Sequence, residues 1–268
     1  MKTETQMALF DRVVCGVDRS DAGIAAARVA SRITSPGGSL SLLAVNDPSI
    51  AVHAGWCMPQ VLEELAAEAA SALERGRAEA GLHHEVDAKL VKGDPLHSLL
   101  AEIARRDATL VVVGSHGLSR ATGIALGAVS THLLHEAPCA VLIARGTVDA
   151  QRWPRRIVVG IDGSTHSARA LEVARQLGER VEAPVRVIAA AQDAHIDLAA
   201  ARRIAPECEE HDARALDALN VASEKSDLIV VGSRGLRGIR ALGSLSERLA
   251  HEARCSVLVV RSPTEGKR

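Results

Sequence analysis

Three blocks of this sequence occur twice, in the same order, and that duplication limits the folds open to the chain. Arg12-Val-Val-Cys-Gly-Val-Asp18 returns as Arg156-Ile-Val-Val-Gly-Ile-Asp162. Leu110-Val-Val-Val-Gly-Ser-His-Gly-Leu118 returns as Leu228-Ile-Val-Val-Gly-Ser-Arg-Gly-Leu236, and His135-Glu-Ala-Pro-Cys-Ala-Val-Leu-Ile-Ala-Arg145 as His251-Glu-Ala-Arg-Cys-Ser-Val-Leu-Val-Val-Arg261. Matched glycines lie 144 (Gly16, Gly160), 118 (Gly114, Gly232) and 116 (Gly127, Gly243) positions apart. The second copy is therefore 26 residues shorter between its first and second blocks, and two shorter between its second and third. A short polar stretch, Gly146–Arg152, joins the copies, so we expect one domain over 1–149 and a shortened one over 150–268.

Each copy alternates short apolar runs with helical patterns. Val13–Val17, Leu40–Val45, Leu110–Val113 and Ala140–Ala144 are rich in β-branched residues and read as strands buried on both faces. Between them, Ser20 or Asp21 suits the cap of a helix that puts Ile24, Ala27, Ala30 and Ile33 on one side. A second helix is expected from about Gln60 to Ala80, and a third opens at Asp94-Pro95, with Leu96, Leu99, Leu100 and Ile103 as its apolar face. The last runs from Ala128 to Glu136 and stops before Pro138. In copy two, Val159–Ile161, Val185–Ala189, Leu228–Val231 and Val257–Val260 supply matching strands, while Gln192–Asp212 is too short for a full helix and strand. We expect that segment to be truncated and irregular, with a degraded or missing edge strand. Strands alternating with helices specify an α/β fold: two tandem doubly wound domains with mainly parallel five-stranded, Rossmann-like sheets, the second truncated.

Composition removes several function classes. Lys plus Arg (32) nearly cancels Asp plus Glu (33), so no broad positive field attracts a phosphate backbone. The aromatics are Phe10, Trp56 and Trp153 alone, which leaves no stacking platform for single strands. Nucleic acid is thus an unexpected partner. No stretch approaches the apolar length of a membrane span, and Met1–Phe10 carries no apolar leader, so a cytoplasmic location is expected. Cys15, Cys57, Cys139, Cys208 and Cys255 form no C-x-x-C pair and read as reduced, mostly buried thiols; His83-His84 lacks a second ligand pair, and no metal site is expected. No P-loop, nucleophile elbow or kinase signature appears, and no nucleophile–base pair is visible.

In open α/β sheets, ligands bind beyond the carboxyl ends of the strands, where the strand order reverses. Asp18 closes the first strand and Gly114-Ser-His-Gly117 closes the fourth. Glycines admit a close backbone approach to phosphate, and the helix after Gly127 directs free N–H groups and the positive end of its dipole to the same place. Asp18 and Asp162 also suit caps of the helices that follow them, as do Ser164, Thr165 and Ser167. His116 and Arg234 share one loop position and read as solvated, as does the basic run Arg234, Arg237, Arg240.

Gly114-x-x-Gly117, nine residues, Gly127, a small residue, x and Ser130 resembles the ATP-binding signature of the universal stress protein family. The Val-x-x-Gly-x-Asp ending of the first strand is similar to that family's opening block. The resemblance covers nearly the whole chain, twice. It implies that Asp18 and Val45 face a nucleoside and that Gly114, Gly117, Gly127, Ala128 and Ser130 hold its phosphates. It implies ATP, or another adenine nucleotide, with or without Mg. The less well matched set in copy two is Asp162, Gly232, Gly235, Gly243, Ser244 and Ser246. The resemblance further implies that the copies pair through their last strands, Ala140–Ile143 and Val257–Val260, as a pseudo-dimer; a further homodimer is compatible with the sequence but nothing in it demands one.

Both copies depart from the pattern. Ala128 stands where the family has Ser or Thr, and losing one donor weakens a ligand by about 0.5–1.5 kcal/mol, up to about tenfold. Copy two keeps Ser244 and Ser246, but only seven residues separate Gly235 from Gly243, and the shorter loop spans up to about 7 Å less. Ala190 replaces Val45 there. The expected function is that of an ATP-binding stress-response protein that acts by binding rather than turnover. The rivals are a nucleotide-free scaffold working through protein–protein contacts, and a slow ATP hydrolase or phosphotransferase.

Overall fold

Runs of Val, Ile and Leu only four to eight residues long cannot shield themselves, and here they line up in one sheet covered on both faces by helices. The structure is a computed structural model that describes residues 9–49, 58–81, 86–116, 126–146, 152–193, 196–233 and 244–261. The first repeat runs β1 (Arg12–Val17), α1 (Asp21–Ile33), β2 (Ser39–Asn46), α2 (Pro59–Ala80), β3 (Val86–Lys92), α3 (Pro95–Arg106), β4 (Leu110–Gly114), α4 (Ala128–Glu136) and β5 (Ala140–Ala144). The second runs β6 (Ile157–Ile161), α5 (Thr165–Val181), β7 (Val185–Ala190), α6 (Leu198–Ile204), β8 (Glu209–His211), α7 (Ala215–Ser223), β9 (Leu228–Ser233), α8 (Leu245–Glu252) and β10 (Ser256–Arg261). None of these helices is long and apolar enough to cross a membrane.

The strand order is β3-β2-β1-β4-β5-β10-β9-β6-β7-β8. Within each repeat every neighbouring pair is parallel, and the order reverses between β1 and β4, and again between β6 and β9. The expected doubly wound halves are thus joined into one ten-stranded sheet. The last strands pair as expected, and the join is antiparallel: Val141 faces Val259, Leu142 faces Leu258 and Ile143 faces Val257. Alternate side chains of the strands feed two apolar clusters, one under α1, α2, α5 and α6, the other under α3, α4, α7 and α8. Each cluster runs through both repeats.

One expectation needs correction. Gln192–Asp212 is short but not irregular: it holds the seven-residue α6 and the three-residue β8, which pairs with β7 from Ile188↔Glu209 to Ala190↔His211. The second sheet half therefore keeps five strands, with a degraded edge. In the first half, β3 is the fifth of the expected five strands; it carries no continuous apolar run because an edge strand needs only one apolar side, and Asp87, Lys89 and Lys92 interrupt its Val and Leu residues.

Candidate functional site

A cleft of about 370 Å³ opens at the first reversal, beyond the ends of β1, β2 and β4. Val17, Asp18, Leu43, Val45, Gly114, Gly127, Ala128 and Ser130 line it, with Leu65, Glu68 and Ala69 of α2 as the outer wall. Asp18 is held in place: its Oδ1 accepts from the Ser20 amide at 3.0 Å and from the Ser20 hydroxyl. Ser20, not Asp18, caps α1, accepting from the Gly23 amide at 3.0 Å. The Ser20 hydroxyl also lies 3.3 Å from the His116 carbonyl, which ties β1 to the segment after β4. Across the cleft, Arg19 and Glu68 form an ion pair between the β1–α1 turn and α2.

Gly114 has a packing role. A Cβ there would sit 2.7 Å from the Ala22 carbonyl carbon and 2.9 Å from the Gly23 nitrogen, so its absence lets α1 start against the end of β4. Gly232 makes the same contact with His166 and Ser167 in the second repeat. The Ser130 hydroxyl donates to the Gly114 carbonyl at 2.7 Å, and the Gly127 amide donates to the Ser115 carbonyl at 2.8 Å. Gly127 is the N-cap of α4 and offers no side chain, so among the described residues no side chain caps that helix. The other two helices that start at this cleft are capped, α1 by Ser20 and α3 by Asp94, which accepts from the His97 amide at 2.8 Å. Gly117 lies outside the described residues.

The second cleft is larger, about 500 Å³. Ala190 takes the place of Val45, and the counterpart of α2 is reduced to α6, no residue of which reaches the lining. Asp162 repeats the geometry of Asp18, accepting from the Ser164 amide at 3.0 Å and its hydroxyl at 2.5 Å, while Ser164 caps α5. At the far side the two clefts differ. Ser244 caps α8 by accepting from the Glu247 amide at 3.3 Å. Ser246 stands 3.2 Å from Ser244, hydroxyl to hydroxyl. The Glu247 side chain, nearly buried in the first turn, sits 3.2 Å from His135 Nε2 of the first repeat. Asp193 serves α7, its carboxylate accepting from the Ala215 amide at 2.6 Å. Gly235, Gly243, Arg234, Arg237 and Arg240 lie outside the described residues.

Several lining residues carried no sequence signal. Arg19, Glu68, Asn46 and Asp47 in the first cleft, and Arg214 in the second, come together only through the packing of distant elements. Glu247 was readable: Ser244-Leu-Ser-Glu247 has the spacing of a capping box, and the Glu247 amide does donate to the Ser244 hydroxyl, while its carboxylate faces His135.

An open α/β sheet built twice in tandem, with a fixed acid at one side of each reversal and a helix start at the other, defines a tandem, Rossmann-like class of protein. Comparison with known proteins agrees. Residues 9–145 and 199–261 match the profile of the universal stress protein family, and this chain belongs to that family. It is 30% identical to a universal stress protein of Mycolicibacterium smegmatis over 93% of this chain and 96% of that one. It is also 30% identical to the universal stress protein Rv2623 of Mycobacterium tuberculosis, in a match spanning 58% of this chain and 62% of that relative's length. The crystal structure of a universal stress protein from Archaeoglobus fulgidus superposes with a TM-score of 0.71 at 20% identity, covering 96% of this chain and all of that one.

Proposed function

We propose that the first cleft binds an adenine nucleotide, ATP foremost, and that the protein works in the cytoplasm through the occupancy of that cleft rather than by turnover. In this reading Asp18 and Val45 flank the nucleoside, and Gly114, Gly117, Gly127, Ala128 and Ser130 surround the phosphates. The observation that carries it is the uncapped start of α4: Gly127 supplies no side-chain acceptor for the first-turn amides of Ala128, Val129 and Ser130. Such a turn, with its positive dipole end, favours an anion.

The ligand-free alternative fits the second repeat better. There Ser244 already serves the first turn of α8, and the Glu247 carboxylate places a negative charge where a phosphate would approach. Asp162, Gly232, Ser244 and Ser246 then serve the fold rather than a ligand.

The test is the ligand carried through purification. Denaturing the protein should release an adenine nucleotide identifiable by mass spectrometry, and added ATP should raise the melting temperature by mass action. Gly127→Asp should abolish both effects while leaving the unliganded melting temperature at least as high, because Gly127 has φ −69° and Asp is a favoured N-cap. Neither released nucleotide nor an ATP-dependent shift in the unaltered protein would contradict the proposal.

A further inference from the structure

The third repeated block, which begins His-Glu-Ala-x-Cys and ends at an Arg six residues after the Cys, crosses the central join in both directions. Arg145 of the first repeat reaches the end of α8: its guanidinium donates to the carbonyls of Ala250 (3.0 Å), His251 (3.3 Å) and Ala253. Arg261, its counterpart, donates to the Leu134 carbonyl at the end of α4. The histidines cross as well, but to the opposite helix ends. His135 faces Glu247 in the first turn of α8. His251 Nδ1 accepts a hydrogen bond from the Leu126 amide at 3.3 Å, one residue before the N-cap of α4.

We infer that the second repeat positions the start of α4, through His251 at its entrance and Arg261 at its exit, and so sets the affinity of the first cleft. The affinity half of this statement rests on the nucleotide reading above; the positioning half does not. Leu126 and Gly127 present consecutive amides, and each has one fixed acceptor, His251 Nδ1 for the first and the Ser115 carbonyl for the second. Leu126 is itself buried, so its placement sets the angle at which the chain enters the helix. Any rotation there moves the amides of Ala128, Val129 and Ser130 together. An imidazole that accepts at Nδ1 carries its proton on Nε2, so the contact requires the neutral ring. His251 is thus a positioning residue, contributed by the repeat whose own loop is shortened. This gives the second repeat a task independent of any ligand in its cleft.

The full chain tests it, with ATP as the probe and His251→Ala beside His251→Asn. The Asn side-chain oxygen lies close to where Nδ1 lies, so it restores the acceptor without the ring. Calorimetry should show ATP bound roughly three- to tenfold more weakly by His251→Ala, the loss of one hydrogen bond, and within about twofold of the unaltered protein by His251→Asn. Amide exchange without ligand, read at Leu126, should accelerate in His251→Ala and not in His251→Asn. Unchanged exchange and affinity in His251→Ala would overturn the inference, as would a His251→Asn variant as impaired as His251→Ala. Faster Leu126 exchange with unaltered ATP affinity would overturn the link to affinity. Should the unaltered protein bind no ATP, the nucleotide reading fails, and the Leu126 exchange still decides the positioning.

Discussion

Gly114 belongs to the stretch that resembles a phosphate loop, yet its missing Cβ serves α1, whose Ala22 and Gly23 backbone would otherwise collide with it. Gly114→Ala should therefore cost about 1–3 kcal/mol, the usual penalty of overpacking, and lower the urea midpoint of the whole chain. An unchanged midpoint would mean that α1 moves aside freely. Glu102 makes a second residue-scale statement. Hydrogen bonds and charge from Arg105, Lys89 and Ser41 hold this buried carboxyl at about 2, against an ordinary value of 4.5. A lowered folded-state pKa means that the stabilisation is fully present above pH 4.5 and is lost as pH falls towards 2, on the order of 2–3 kcal/mol. Glu102→Gln should flatten that acid loss in urea titrations between those pH values; an identical slope would place the acid sensitivity elsewhere. Neither role was legible in the sequence, because both depend on what packs against the residue. Thiol burial was legible: Cys15, Cys139 and Cys255 fall in or beside apolar runs, and desolvation pushes all three upward, Cys139 to about 11 and Cys255 to about 12.

At the scale of elements, the pattern of capping separates the two repeats more sharply than loop length does. The helices α1 and α5 begin identically, on a Ser cap braced by an Asp two residues earlier. The helices α4 and α8 do not: Gly127 offers nothing, whereas Ser244 and Glu247 close the first turn of α8. That difference stands in the letters Gly-Ala-Val-Ser-Thr against Gly-Ser-Leu-Ser-Glu. The substitution of Ala128 for a hydroxyl, read from sequence as a weakening, also leaves the turn without a competing side-chain partner. Central strands and long amphipathic helices were legible because burial on two faces, or a 3.6-residue period, imprints itself on the letters. The strands β3 and β8 were not, since an edge strand need be apolar on one side only and three residues carry no period at all.

Across the whole molecule, duplication explains the join. Two copies of one open sheet bury their last strands against each other, Leu142 opposite Leu258, and the edge that each would expose disappears. On one face of the joined sheet Arg145 and Arg261 each bind the end of the other repeat's helix, and on the other Arg180 of α5 donates to the Ile33 carbonyl at the end of α1 at 2.7 Å. The repeats are thereby held as one body in which the second supports the site of the first. The most direct test of that division of labour is calorimetric titration of the full chain with ATP, alongside Gly127→Asp and Ser244→Asp. Both substitutions place an Asp at an N-cap, so both keep their helices. We predict one ATP per chain, bound unchanged by Ser244→Asp and not at all by Gly127→Asp. Binding that is lost in Ser244→Asp and retained in Gly127→Asp, or no binding by the unaltered protein, would contradict the account.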